Sequence, residues 1–262
     1  TQFNAHIMPL KIIFGEQEYF DGELTSEDFY HRLETAVELP KSSQPAPGDF
    51  VTLYSKLLEQ YDEVISIHLS TALSGTVNAA HLAAETLQKK IHVIDSKNIS
   101  VGIALMVREA GRCIQEGLKT SHILERIQHA RTNIETLFTL NTLEYLHKGG
   151  RIGKVSSLLG SLLNIKPIVR VNDDGVYVPV GKARSQNKAL EQIVDQIQQL
   201  AAGRKIKALA VAHGAALGAA EKLKESLEHA FNTKVTVFTH VGAVIGVHTG
   251  PGTVGVAVLF DG

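Results

Sequence analysis

The sequence predicts an α/β fold in two parts, a parallel α/β domain over residues 1–145 and an α+β domain over residues 146–262. Two observations support this prediction. In the first part, short apolar runs alternate with stretches of helical periodicity, which is typical of parallel strands joined by covering helices. In the second part, two apolar runs flank Asn172-Asp173-Asp174-Gly175, a turn sequence that indicates an antiparallel hairpin.

Strands and helices alternate through the first part of the chain. The first predicted helix has Thr25 or Ser26 as its N-cap, with the acidic Glu27 and Asp28 at the positive end of the helix dipole. Because helices separate the strands, we predict one parallel sheet covered on both faces. The predicted strands are Pro9–Gly15, Val64–Leu69, Ile91–Ile94 and Thr136–Leu140. The predicted helices are Ser26–Ala36, Pro47–Gln60, Gly75–Leu87, Ser100–Glu116 and Ser121–Thr132.

The pattern changes after Leu140. A flexible basic junction, Lys148-Gly149-Gly150-Arg151, places the domain boundary near residues 145–160. A predicted antiparallel hairpin, followed after a helix by the order strand, helix, strand, strand, favours an α+β domain. The predicted strands are Ile165–Val171, Val176–Val180, Ile206–Ala212, Val235–Thr239 and Val254–Phe260, and the predicted helices are Ala189–Ala202 and Ala216–Phe231.

Composition excludes several classes of protein. The 262 residues are 44% hydrophobic, which is enough for a sizeable core, and the net charge of −1 argues against a nucleic-acid binder. No apolar run is long enough to span a bilayer and no signal-peptide pattern is present, so we expect a cytoplasmic protein without stable membrane insertion. The single cysteine, Cys113, rules out an internal disulfide and is expected to be buried.

The hydroxyl-rich turn Ser70-Thr71-Ala72-Leu73-Ser74-Gly75-Thr76 is the most informative feature of the chain. It lies between a predicted strand and a predicted helix, where free backbone N–H groups and the positive end of the helix dipole point outward. A second such turn is Ser42-Ser43-Gln44-Pro45, and Asp95-Ser96 ends a neighbouring strand. These features predict a seat for a small anion, a phosphate or a carboxylate, without a metal or an obligatory fixed positive charge.

A third unusual turn, His248-Thr249-Gly250-Pro251-Gly252, lies near the C-terminus. Two glycines around a proline build a close-approach turn, and His248 and Thr249 would present hydrogen-bond donors at its start. The spacing of Gly250, Gly252 and Gly255 matches the dinucleotide fingerprint only formally, because a strand rather than a helix follows. Walker A, G-x-S-x-G, H-E-x-x-H and EF-hand patterns are absent from the sequence, so we predict no cofactor and no metal.

Three functions are compatible with these residues. A binding protein would use the hydroxyls as donors to an anion. A hydrolase or acyltransferase would use Ser74 as nucleophile and need a base, for which His248 or His68 is available, although nothing in their spacing pairs them. A regulatory module would bind phosphate in the same seat. We favour binding over catalysis, because the surrounding donors suit it without further groups.

Six motifs, in order, resemble the DegV family of proteins. The resemblance extends from Met8 to Phe260. The motifs are Ser42-Ser43-Gln44-Pro45, Leu73-Ser74-Gly75-Thr76, Val93-Ile94-Asp95-Ser96, Tyr145-Leu146-His147-Lys148-Gly149-Gly150-Arg151-Ile152, Leu163-Asn164-Ile165-Lys166-Pro167-Ile168 and His248-Thr249-Gly250-Pro251-Gly252.

The resemblance implies a two-domain protein, with a mixed sheet in the second domain, that buries one long-chain fatty acid between its domains. It implies a binding subunit rather than an enzyme, which presents the acid to a separate ATP-dependent fatty acid kinase. Arg151 would belong to the kinase-docking surface, Leu158 to Ile168 is our expectation for the tail pocket, and we expect a monomer. The implied carboxylate-binding residues are Ser42, Ser74, Gly75, His248 and Thr249, supported by Arg184, Asp95 and Ser96.

The chain departs from the family pattern at two places. Ser42 stands where threonine is more usual, but the hydroxyl is kept. Family members usually begin with a strand, an Asp-Ser turn and a helix before the segment that corresponds to Met8-Pro9-Leu10. A parallel sheet without that inner strand would expose unpaired edges, so either this chain is a shortened form or its first domain is built differently, and we expect the shortened form.

Overall fold

The computed structural model of the protein describes residues 3–159 and 165–261. Each predicted strand and helix is confirmed, with ends that differ by a few residues. The helices are α1 (Ser26–Thr35), α2 (Pro47–Leu58), α3 (Thr76–Leu87), α4 (Val101–Gln115), α5 (Thr120–Asn133), α6 (Glu144–Lys148), α7 (Gln186–Ala201), α8 (Leu217–Phe231) and α9 (Ala243–Thr249). The strands are β1 (Lys11–Phe14), β2 (Gln17–Phe20), β3 (Lys41–Ser43), β4 (Val64–His68), β5 (Ile91–Asp95), β6 (Ile134–Thr139), β7 (Lys166–Val171), β8 (Tyr177–Ala183), β9 (Ile206–Gly214), β10 (Val235–His240) and β11 (Thr253–Phe260).

The largest sheet formed by the described residues has six strands in the order β10-β9-β11-β6-β7-β8. Strands β10 and β9 run parallel, and the other neighbours are antiparallel. Strands β7 and β8 form the predicted hairpin. The sheet is therefore mixed. Helices α7 and α8 pack on one face and helices α4 and α5 on the other, so that β11 lies at the centre of the core.

The strands of the first part divide among three sheets. Strands β4 and β5 pair in parallel, and α2 and α3 pack against them, as the sequence predicts. Strand β1 instead pairs antiparallel with β2 and β3, and β6 joins the six-stranded sheet. The prediction of one parallel sheet is therefore correct for β4 and β5 and wrong for β1 and β6. Strand β6 is buried almost throughout, which suits a position between two other strands of the large sheet. Strand β2 is mostly exposed, which an edge strand of an antiparallel sheet can be.

The short elements of the fold were not predicted from the sequence. Helix α9 has only seven residues, with β-branched residues and a glycine inside it, which lowers its helix propensity. His248 and Thr249 are the last residues of this helix, so the predicted turn starts only at Gly250. Strand β3 likewise includes Ser42 and Ser43, which were predicted as a turn.

Helix α9 ties the two parts of the chain together. It packs on α1 and β1 through Val244 and Val247, which share a cluster with Ile12 and Phe29. The division into residues 1–145 and 146–262 stays a prediction. Cys113 is buried, as predicted. No helix within the described ranges is long and apolar enough to cross a membrane.

Candidate functional site

A cavity of about 50 Å³ lies where β3, the turn before α3 and helix α9 meet. The structure thus brings together three segments that are far apart in sequence. Its polar wall consists of Ser42, Ser43, Gln44, Ser74, Arg151, His248 and Thr249. Its apolar wall consists of Leu10, Leu69, Leu73, Ile99, Tyr177, Val244 and Ile245.

Ser42 and His248 form the polar contact that joins β3 to α9. Ser42 Oγ lies 2.7 Å from Nε2 of His248. Within the described part of the chain, Nδ1 of His248 is buried and has no hydrogen-bond partner. Because a buried N–H without an acceptor is rare in folded proteins, we infer that the ring proton sits on Nε2. His248 then donates to Ser42 Oγ and leaves the hydroxyl hydrogen of Ser42 to the cavity.

Ser74 has a similar arrangement on the opposite side. Its Oγ accepts from the backbone N–H of Thr76 at 3.3 Å and lies 2.8 Å from Thr76 Oγ1. Thr76 is buried in the first turn of α3 and holds Ser74 in place. When Thr76 Oγ1 donates to Ser74 Oγ, the hydroxyl hydrogen of Ser74 is available to a ligand.

Gly75 allows the two hydroxyl-rich segments to approach each other. A Cβ at this position would collide with Oε1 of Gln44, the residue that follows β3. The contact brings the end of β3 against the start of α3. A larger residue at position 75 would displace the Gln44 side chain, which also lines the cavity, so Gly75 shapes the cavity through its missing side chain.

Arg151 places a positive charge in the cavity wall. Its Nη1 donates to the Gly149 carbonyl at 2.8 Å and its Nε to the Leu73 carbonyl at 3.4 Å, so it connects the end of α6 to the hydroxyl-rich turn. The sequence placed Arg151 on a docking surface and required no fixed charge in the anion seat. In the structure Arg151 is exposed and also lines the cavity, so its place on a docking surface stays a prediction.

Asp95, Ser96 and Ser70 act behind the wall, since none of them lines the cavity. Asp95 accepts from Thr71 Oγ1 at 2.6 Å and from the Lys97 backbone N–H at 2.9 Å. Burial opposes ionisation of Asp95, but these hydrogen bonds outweigh it and lower the pKa of the carboxyl group. The carboxylate therefore fixes the start of the hydroxyl-rich turn.

Three sequence expectations differ from what the structure shows. Arg184 is exposed beyond the end of β8 and does not line it. Thr249 does line it, but its hydroxyl donates to the Ile245 carbonyl at 3.0 Å. In the segment Leu158 to Ile168, residues 160–164 lie outside the described residues, and the described ones line neither this cavity nor the one next to it.

The Gly250-Pro251-Gly252 turn confirms the predicted close approach. Both glycines have positive φ, 69° and 86°. A Cβ at Gly250 would collide with the ring of Tyr145, and a Cβ at Gly252 with the amide of Asn141. The turn therefore fixes the C-terminal end of α9, and with it His248, against α6.

A second, mainly apolar cavity of about 30 Å³ adjoins the first. The two cavities share four lining residues, Ile99, Tyr177, Ile245 and Thr249. Tyr177 is buried, and its ring packs edge to face on the ring of Phe138, with the two ring centroids 5.2 Å apart. The second cavity lies on the face of the six-stranded sheet that carries α4, so a polar opening leads into an apolar space.

Two histidines near the site are expected to make the protein sensitive to acid. Burial, with Arg151, lowers the pKa of His248 to about 4. Burial, with His81, also lowers the pKa of His68 to about 4, while His68 Nε2 lies 2.7 Å from Ser66 Oγ. Between about pH 6.5 and pH 4 the unfolded chain binds these protons and the folded chain does not. Stability is therefore complete above about pH 6.5 and falls towards pH 4.

We expect each histidine to contribute up to about 1.4 kcal/mol per pH unit to this loss. Urea unfolding at pH 7 and pH 5 measures it. The variant His248→Gln, which cannot titrate, should lose less stability between the two pH values than the unmodified protein. Equal losses in both proteins would show that His248 does not titrate with a lowered pKa.

Sequence reasoning missed the residues that connect the two cavities. Tyr177 and Ile245 were not assigned to the site, because one is part of a hairpin strand and the other of the unpredicted helix α9. A signal was present for Ile245. The apolar run that precedes His248 is long enough for two helical turns, and its Val244, Ile245 and His248 share the spacing of one helix face.

Comparisons with known proteins agree with this architecture. The DegV family model, described as an uncharacterised protein family, matches residues 1–261. A DegV domain-containing protein of Staphylococcus aureus is 37% identical over 257 residues, which cover 98% of this chain and 91% of that protein.

Two solved structures are similar to this chain over nearly all of its length. A DegV family protein from Thermus thermophilus, described for its fatty acid binding, has 32% identity and a TM-score of 0.92, over 99% of this chain and 93% of that one. A stearic acid-binding protein from Eubacterium ventriosum has 26% identity and a TM-score of 0.88, over 99% and 92% of the two chains. Because the DegV family model matches residues 1–261 of this chain, the chain belongs to the DegV family.

Proposed function

We propose that the protein binds one long-chain fatty acid, with the carboxylate in the first cavity and the hydrocarbon tail in the second. The observation that carries the proposal is the junction of the two cavities: a wall of hydroxyls and one guanidinium opens into an apolar space. An amphiphile with one acidic head matches that division. Fatty acid binding by the similar proteins from Thermus thermophilus and Eubacterium ventriosum supports it.

The head of the acid would meet two hydroxyl donors. When Nε2 of His248 donates to Ser42 and the Thr76 hydroxyl donates to Ser74, each serine hydroxyl hydrogen is free for a carboxylate oxygen. Hydrogen bonds to an ionised group contribute about 1.5–3 kcal/mol each. Arg151, in the same wall, adds attraction for a negative charge and little for a neutral ester.

The tail would supply most of the affinity, since burial contributes about 0.8 kcal/mol per methylene. The two cavities hold only a few water-sized spheres, at about 10–15 Å³ each. A long chain therefore requires the side chains at the junction to move apart, and Ile99, Tyr177 and Ile245 are the ones between the two spaces.

Binding fits the site better than hydrolysis by Ser74 and His248. The hydrogen bonds pair His248 with Ser42 and Ser74 with Thr76. A catalytic histidine needs a third group to orient it and a pKa near 7. His248 has a pKa of about 4, and among the described residues none bonds its Nδ1.

We further propose that a separate ATP-dependent kinase phosphorylates the bound acid. The resemblance to DegV proteins that serve as binding subunits of fatty acid kinase supports this step. An anionic head held at a surface opening by Ser42, Ser74 and Arg151 would be reachable for a partner enzyme, which would supply the nucleotide site.

Native mass spectrometry of the purified protein tests the proposed function. We expect an added mass that corresponds to one acid of fourteen to eighteen carbons, and its exchange for an added fatty acid. A bound phosphate alone would support the regulatory alternative, and turnover of an acyl ester that is lost in Ser74→Ala would support the hydrolase. Either result without a bound fatty acid would contradict the proposal.

A further inference from the structure

The floor of the second cavity is one row of residues across three strands. Gly255 on β11 pairs with Phe138 on β6 and with Ala212 on β9. All three residues line the cavity. A phenyl ring, a hydrogen and a methyl group in one row leave a depression in the sheet face above the central strand.

Gly255 is the accessible position of a strand that is otherwise buried. The other residues of β11 are buried, and Gly255 alone in this strand is partly exposed, towards the cavity. Its φ is not positive, so the backbone does not demand glycine there. A Cβ at this position would lie 3.2 Å from the Cβ of Phe138, and a side chain would project from the sheet into the depression.

We propose that Gly255 determines how long an acyl chain the protein accepts. The inference rests on the proposed function, since it assigns the second cavity to the hydrocarbon tail. A chain that passes the junction at Tyr177 and Ile245 reaches the sheet face at Gly255. With glycine there the tail can lie against the sheet, and a side chain there would take up part of that space. The protein therefore accepts longer acids than it would with a side chain at position 255.

Substitution of Gly255 by valine tests the proposal. Delipidated protein is incubated with an equimolar mixture of saturated acids from decanoic to octadecanoic acid, and the bound species are measured by native mass spectrometry. The unmodified protein should favour the longest acids. Gly255→Val should favour acids that are shorter by two or more carbons, because each methylene kept out of the pocket lowers the affinity about fourfold.

Ala257→Val is the matched control. Ala257 lies two residues along β11 on the same face, is fully buried and does not line the cavity. It should lose stability through overpacking and keep the chain-length profile. Gly255→Ala should shift the chain-length profile in the same direction by a smaller amount. If circular dichroism shows that Gly255→Val does not fold, the profile of Gly255→Ala tests the proposal instead.

The outcomes separate this inference from the proposed function. An unchanged profile in a folded Gly255 variant, or an equal shift in Ala257→Val, would overturn the role of Gly255 while fatty acid binding stands. If the unmodified protein binds none of the acids, the proposed function itself fails.

Discussion

Replacing Ser42 and Ser74 together by alanine is expected to weaken fatty acid binding by about 10²- to 10⁴-fold. Each substitution removes one hydroxyl donor that its neighbour holds towards the cavity. Each single variant should bind the fatty acid about tenfold more weakly or worse. Ser42→Ala also leaves His248 without its hydrogen-bond partner. Displacement of a fluorescent fatty acid gives the affinities.

Two further measurements make this result specific to the acid head. Ser55→Ala removes a hydroxyl from the exposed face of α2 and should bind like the unmodified protein. The methyl ester of the same acid keeps the tail but carries no charge, so it should bind more weakly than the acid and lose less affinity in the serine variants. A double variant that binds the acid with unchanged affinity would exclude Ser42 and Ser74 from the head-group site.

Replacing Gly250 by alanine is expected to lower the free energy of unfolding by about 3 kcal/mol, which corresponds to a fall of about 10 °C in Tm. Gly250 has φ of 69° and ψ of 178°, a conformation that is practically restricted to glycine. The new Cβ would also collide with the ring of Tyr145. Because the turn fixes the end of α9, fatty acid binding should weaken as well.

A double-mutant cycle separates the two causes. In a Tyr145→Ala background the collision disappears and the backbone strain stays, so Gly250→Ala should cost less there. Gly48→Ala is the control, since Gly48 lies in the first turn of α2 with open space around it. Calorimetric unfolding of the four proteins and the control measures these effects. A Gly250→Ala variant as stable as Gly48→Ala would contradict the strained turn.

The sequence predicted the long elements well, because their signals are local. Apolar runs such as Val64–His68 and amphipathic stretches such as Gln186–Ala201 each carry their own periodicity. Sheet membership was harder. Strand β6 follows helices of the first part, yet it pairs with β11, which lies more than a hundred residues later. Local pattern does not specify which distant edge a strand joins.

The candidate site shows the same division. The hydroxyls of Ser42 and Ser74 and the ring of His248 could be selected from sequence, because their turns and motifs are local. The role of Arg151 could not, since its position in the cavity wall depends on its contacts with Gly149 and Leu73 across the chain. The same holds for Arg184, which lies in a basic stretch yet remains outside the cavity.

The sequence by itself determined the class of fold, the order of the long elements and the chemical character of the site, since residue type and spacing are sufficient for these. Only the tertiary structure decided which hydroxyl His248 orients, where the charge of Arg151 lies and that Gly255 borders the apolar cavity. These depend on contacts between segments far apart in the chain, and burial and geometry, rather than residue type, fix such contacts.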